Sequence, residues 1–250
     1  DYIIINRPKR EEIFDKHTKT MPSCVAPVIK IVVEDAAIKT KNALTFIDDC
    51  SLNLSTGKVV FILGENSIGK SLALQTIVGV RSRLSNKITY FDSKGSTKKI
   101  GNTIYPMLPT NLFLINASVQ ENIDFYIDRI STEDVSRILT LLGFDKPLDF
   151  VIGKDGVHLS TGYRRKLCNA IGLLQSINYN FLILDEPTLG LDDKSKLSLG
   201  KYLQANYSSV VFLIITHDTS FIDTFTQNER VIYQVENGTN SESSIKFTIQ

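Results

Sequence analysis

Short, unbroken apolar runs alternate along this chain with stretches where apolar residues recur every three or four positions. Lys58–Leu63 (KVVFIL), Phe181–Leu184 (FLIL) and Val210–Ile215 (VVFLII) are runs of the first kind. A strand covered on both faces has no solvent side, so each run predicts a buried central strand. Ile29–Val33 is rich in β-branched residues and predicts another strand, and Phe46 and Ile47 predict a further one, with Leu52 and Leu54 alternating before a turn at Thr56-Gly57. The segment from Arg230 to Gln250 predicts two strands around Asn237-Gly238.

Helical spacing follows these runs. A helix is expected from Ser71 to about Val80, directly after a glycine-bounded loop. Ser118 and Glu121 have the Ser-x-x-Glu spacing of a capping box and predict a helix start. Ser131 opens another helix, with Val135, Ile138, Leu139 and Leu142 on one face and Gly143 as its stop. Leu167, Ala170, Ile171 and Leu174 repeat that spacing. The stretch 81–101 is polar and without a clear period, so no element is assigned there. Strands alternating with helices predict an α/β fold with a mostly parallel sheet. The helix-rich block at about 112–176 breaks the rhythm and is expected to form a small helical subdomain.

Composition narrows the function classes. Apolar residues make up 42% and charged residues 22% of 250, with a formal net charge of +1, so bulk charge gives no reason to expect a nucleic-acid partner. The three cysteines, Cys24, Cys50 and Cys168, form no Cys-x-x-Cys pair, which argues against a zinc site or a disulfide framework. No apolar run approaches the roughly 20 residues of a membrane-spanning helix. Charges between Arg7 and Lys19, with Pro8, Pro22 and Pro27, give residues 1–27 the character of a linker. Because the chain opens on Asp1, it is expected to be an excerpt of a longer polypeptide, with any membrane part outside it.

Two clusters carry chemistry. Gly64-Glu65-Asn66-Ser67-Ile68-Gly69-Lys70-Ser71 fits G-x-x-x-x-G-K-[ST], with Leu72 next, between a predicted strand and a predicted helix. In such a loop the backbone N–H groups and the helix N-terminus cradle a polyphosphate. Gly64 and Gly69 let the backbone approach it. Lys70 is placed for the β- and γ-phosphates and the Ser71 hydroxyl for Mg²⁺. Ser67 stands where many such loops have glycine, a change expected to be tolerated. The second cluster is Asp185-Glu186, directly after the apolar run Phe181–Leu184. Acids there face the carboxyl edge of a sheet, where α/β folds bind ligands. Asp185 is expected on the Mg²⁺ side and Glu186 as the base that polarises an attacking water. His217, after the run ending at Ile215, is a candidate γ-phosphate contact.

Together these pieces, over about residues 29–235, resemble the nucleotide-binding domain of ABC transporters. Asp185-Glu-Pro-Thr188-Leu-Gly-Leu191-Asp192 is similar to the family's Walker B and D-loop run, and Thr216-His217-Asp218 to its switch-histidine loop. Leu159-Ser160-Thr161-Gly162-Tyr163, followed by Arg164-Arg165-Lys166-Leu167, lies where the family has its L-S-G-G-Q signature. The resemblance implies the ABC ATPase fold over 28–250 (a P-loop NTPase core with a mostly parallel sheet, an antiparallel β portion and a small helical subdomain), ATP and Mg²⁺ as ligands, and hydrolysis that powers membrane transport, with export as its direction. It also implies a second ABC ATPase domain, because two domains sandwich ATP between Walker A of one and the signature of the other. A transmembrane domain and a place on the cytoplasmic face of a membrane go with it. Leu112–Ile123 (LFLINASVQENI), Val151–Gly156 and the segment Glu11–Asp15 look like their counterparts in exporters.

The sequence also departs from the family pattern. Thr161 replaces a signature glycine and Tyr163 its glutamine. The Q-loop glutamine is missing, its place falling near Thr110, and no aromatic residue stands near Lys41, where adenine is usually stacked. Intact Walker motifs beside an altered signature point to one half of a heterodimer with unequal ATP sites. A regulatory nucleotide-binding module with little hydrolysis, or a soluble ABC ATPase outside transport, are the alternatives.

Overall fold

The computed structural model describes residues 28–34, 36–39, 44–48, 50–54, 57–77, 88–92, 95, 97–98, 107–108, 112–128, 130–178, 181–238 and 244–249. The expected linker 1–27, Lys41 and Thr110 lie outside them.

An eight-stranded sheet forms the centre. Its strands are β2 (Ala36–Lys39), β3 (Leu44–Ile47), β5 (Val59–Gly64), β8 (Met107–Leu108), β9 (Phe181–Asp185), β10 (Val211–Ile215), β11 (Arg230–Asn237) and β12 (Ser244–Ile249). They run in the order β2-β3-β12-β11-β5-β10-β9-β8, and all neighbours from β11 to β8 are parallel. The apolar runs thus fall in the buried middle. Alternation within them is spatial: Val59, Phe61, Leu182, Leu184, Phe212 and Ile214 enter one core. Val60, Ile62, Phe181, Ile183, Val211, Leu213 and Ile215 enter the other. Each such side chain, fully buried, stabilises the fold by about 1.5–3 kcal/mol.

A four-stranded antiparallel sheet packs into the second core: β1 (Val28–Val33), β4 (Cys50–Asn53), β6 (Ile88–Asp92) and β7 (Thr97–Lys98), in the order β4-β1-β6-β7. Here the structure differs from expectation twice. The single strand expected from Phe46 to Leu54 is two, because the chain leaves β3 in the large sheet and enters β4 in the small one. The unassigned stretch 81–101 contains β6 and β7, with Tyr90 buried and its hydroxyl donating to the Ile77 carbonyl at the end of α1 (Lys70–Ile77).

Helices α2 (Val119–Tyr126), α3 (Thr132–Leu141) and α4 (Thr161–Asn178) pack over the first core, to which α5 (Asp193–Asn206) and the short α6 (Thr219–Ile222) also contribute. The capping box forms as expected: Ser118 Oγ accepts from Glu121 N–H at 3.2 Å and Glu121 Oε2 accepts from Ser118 N–H at 2.9 Å. Ser131 caps α3 through Asp134 N–H at 3.0 Å. Asn122, wholly buried in α2, holds the loop before it, its Oδ1 accepting from Ile115 N–H at 2.9 Å and its Nδ2 donating to Ser118 O at 2.9 Å.

Candidate active site

Parallel strands end together, and this sheet uses that to gather a site. Ile215 of β10 is in register with Ile62 of β5 on one side and Asp185 of β9 on the other. The loops after these three strands therefore meet over one cleft of about 320 Å³, lined by Asn66, Ser67, Gly69, Lys70, Ser71, Leu72, Asp185, Glu186, Ile215 and His217.

The loop after β5 is shaped by left-handed backbone. Gly64, Ser67 and Gly69 have φ of 147°, 65° and 104°. Ser67 is thus at a position that favours glycine, at a cost of about 1–2 kcal/mol. Gly64 has a steric requirement as well, since a Cβ there would stand 2.6 Å from the Val235 carbonyl of β11. Gly64→Ala is expected to lower the melting temperature by several degrees, roughly 2 kcal/mol, and to weaken nucleotide binding. Thermal denaturation and calorimetric titration check both.

The loop runs into α1 at Lys70. Lys70 Nζ donates to the carbonyls of Gly64 at 2.7 Å and Glu65 at 2.8 Å. It also lies 3.0 Å from His217 Nε2. An ammonium has no lone pair, so the ring nitrogen accepts. Burial pushes the Lys70 pKa down, opposed by the carboxylates of Glu186 and Asp185. Ser71 and Leu72 line the cleft from the first turn of α1, while Ile68 packs toward the second core.

Asp185 ends β9 and is buried. Glu186 follows with φ of 50°, its N–H donating to Ile215 O at 2.8 Å. This turn brings the side chain to His217, whose backbone N–H lies 3.4 Å from Oε2 and whose Nε2 lies 3.5 Å from Oε1. Burial raises the Glu186 pKa above its usual value, and His217 opposes that shift. Lys70, Glu186 and His217, separated by up to 147 positions along the chain, thus form one contact group.

Ser160, Thr161, Gly162 and Tyr163 are placed elsewhere, at the N-terminus of α4, and none lines the cleft. Ser160 Oγ accepts from Tyr163 N–H at 3.3 Å. The Tyr163 hydroxyl donates to Asp145 at 2.6 Å, and the ammonium groups of Lys146 and Lys166 lie 5.3 and 5.5 Å from its ring centroid. Asp192 is also outside the cleft. It caps α5 by accepting from Ser195 N–H at 2.8 Å and pairs with Lys166 at 2.8 Å, which holds its pKa far below the usual carboxylate range.

Three residues to which the sequence assigned no role of their own support the site. Arg165 Nε donates to Leu189 O at 3.2 Å and Asn169 Nδ2 to Pro187 O at 2.7 Å, so α4 grips the segment after Glu186. Lys196 of α5 pairs with Asp218 at 2.7 Å. In sequence these are helix positions, and only the distant carbonyl or carboxylate reveals their use.

A glycine-bounded loop after one central strand, acids after a second and a histidine after a third are the arrangement of the P-loop, ABC ATPase fold. The family model "ABC transporter" matches residues 47–189, more than half of the chain, and the chain belongs to that family as an ATPase domain. Curated relatives agree. The ATP-binding protein of a tungstate uptake system from Campylobacter jejuni is 28% identical over 193 residues, covering 74% of this chain and 56% of that protein. An ATP-dependent lipid A-core flippase from Yersinia pestis is 29% identical over 196 residues, covering 71% of this chain and 32% of the flippase. The chain therefore spans about half the length, or less, of these relatives. Its fold matches that of a bacterial Atm1-family ABC exporter with ATP bound, with a TM-score of 0.70, 18% identity, and coverage of 94% of this chain and 41% of the exporter chain.

Proposed function

We propose that the chain hydrolyses ATP at this cleft to power membrane transport, as one half of an ATP-sandwich dimer. The contact group of Lys70, Glu186 and His217 carries the reading. Backbone N–H groups from Gly64 to Ser71, including Glu65, Asn66, Ser67, Ile68 and Gly69, with Leu72 behind them, receive the phosphates. Lys70 exchanges its carbonyl partners for phosphate oxygens. His217 Nε2, beside Lys70, reaches the γ-phosphate. Glu186, as the carboxylate, takes a proton from the attacking water.

The Ser71 hydroxyl and the Asp185 carboxylate suit Mg²⁺, a hard cation that takes few protein oxygens and keeps water in its other positions. Bound there, it would supply positive charge that offsets the charge of the phosphates.

In this reading residues 28–250 are the ATPase unit, with a helical subdomain at about 112–176, and residues 1–27 link it to a transmembrane domain on the cytoplasmic side. Among the described residues no helix is long and apolar enough to cross a membrane. An apolar surface supports the membrane partner. Phe113, Val151 and Val157 are 51%, 51% and 72% exposed. The bonds Ile152 N–H to Ala117 O at 3.0 Å and Asp155 N–H to Leu114 O at 3.0 Å bring their segments together. Export, rather than uptake, is supported by the exporter-like run Leu112–Ile123 beside that surface.

The second ATPase domain is proposed to differ from this one. Ser160, Thr161, Gly162 and Tyr163 would meet the partner's nucleotide, with Asp192 closing the D-loop run where it caps α5. Thr161 adds a β-branched side chain, and Tyr163 is already engaged by Asp145 and two lysines. A weak signature paired with an intact cleft fits a heterodimer.

The test is ATP turnover by the chain alone and mixed with candidate partner domains. Stimulation by one partner is expected. Turnover alone as fast as in every mixture refutes the heterodimer, and none in any mixture favours a regulatory nucleotide-binding role.

A further inference from the structure

Helix α5 carries two ion pairs one turn apart. Asp192 at its N-cap receives Lys166 of α4 at 2.8 Å, and Lys196 binds Asp218 at 2.7 Å. Asp218 is the residue after His217. Its Oδ1 also accepts from Phe221 N–H at 3.1 Å and from the Ser220 hydroxyl, and its N–H donates to Thr216 Oγ1 at 3.0 Å. Thr216 is wholly buried, and its N–H is 3.3 Å from the Ile62 carbonyl of β5.

Both neighbours of His217 are therefore anchored, Thr216 to the central sheet and Asp218 to α5. The histidine itself is exposed, so its reach to Lys70 and Glu186 is set by these anchors rather than by packing around the ring.

The electrostatics fit a standing ion pair. Burial would raise the Asp218 pKa, but hydrogen bonds from Lys196, Ser220 and the Phe221 N–H outweigh it and hold it at about 2. The pair is partly solvated, with side-chain exposures of 28% and 18%. Pairs so placed add little to folding, so the positional effect outweighs the energetic one. A neutral side chain at 196 would leave the fold intact and free the loop.

We propose that Lys196 is a positioning residue for His217: its ion pair with Asp218 fixes the loop that holds the ring against Lys70 and Glu186. The proposal rests on the hydrolytic function given above. Single-turnover ATP hydrolysis by the chain, alone and with the candidate partner domain that stimulates it most, tests it. Lys196→Met is expected to lower the hydrolysis rate by about ten- to a hundredfold, while ATP affinity stays within about twofold and the melting temperature barely moves. Lys196→Arg restores the rate. In a His217→Ala background, Lys196→Met costs nothing more, because the group it positions is gone.

An equal loss in both backgrounds, or a parental rate in Lys196→Met, overturns the proposal. A parent that hydrolyses nothing refutes the hydrolytic function instead. The pair is then read from the His217 ring resonances, assigned by their loss in His217→Ala. They are expected to shift and broaden in Lys196→Met and to recover in Lys196→Arg, and resonances unchanged by Lys196→Met overturn the positioning role.

Discussion

Lys70→Ala is expected to abolish ATP binding while leaving the chain folded. Among the described residues lining the cleft, the carboxylates of Asp185 and Glu186 face one lysine. Without it, a triphosphate would meet two acids and no fixed cation. The Gly64 and Glu65 carbonyls would also lose the ammonium that now spans them at 2.7 and 2.8 Å. A hydrogen bond to a charged group contributes about 1.5–3 kcal/mol. Two or more bonds from the ammonium to phosphate oxygens, taken up in exchange for these carbonyls, would be lost, so affinity should fall by at least about a hundredfold. Calorimetric titration with ATP measures this, and affinity within about tenfold of the parent would show that Lys70 does not hold phosphate.

Glu186→Gln is expected to keep ATP and lose turnover. The amide is close to isosteric, and its oxygen can still accept from His217 N–H. Only the base is removed, so the rate should fall by about 10²–10⁴-fold while an ATP-bound dimer accumulates, visible by light scattering. Hydrolysis at the parental rate would refute the assignment. The sign of the pH dependence follows from the raised pKa. The carboxylate is the active form, so the parental rate falls as pH drops through a value above the ordinary glutamate value of 4.5.

The central strands and the phosphate loop were legible because their signals are local. A strand buried on both faces must be apolar throughout, and a backbone cradle needs glycine at fixed spacing. Ser67 shows the limit of that logic, since its φ of 65° explains why glycine is common there but could not be read from its neighbours. The small antiparallel sheet was less legible. Its strands β6 and β7 lie in a polar stretch, and β4 was merged with β3 because a change of sheet leaves no mark on local alternation. Arg165, Asn169 and Lys196 were invisible for another reason. Their partners are 24, 18 and 22 positions away, and a polar residue on a helix looks the same whether it meets water or a distant carbonyl.

The grip of Arg165 and Asn169 on the backbone beyond Glu186 has a mechanical corollary. Both donors ride on α4, whose leading turn is Thr161, Gly162 and Tyr163. Were that helix to tilt as a rod, it would tug the carbonyls of Leu189 and Pro187 with it, and the peptide that aims Glu186 has little slack at a φ of 50°. A tilt of that arm would thereby reach the turn that aims the Glu186 side chain.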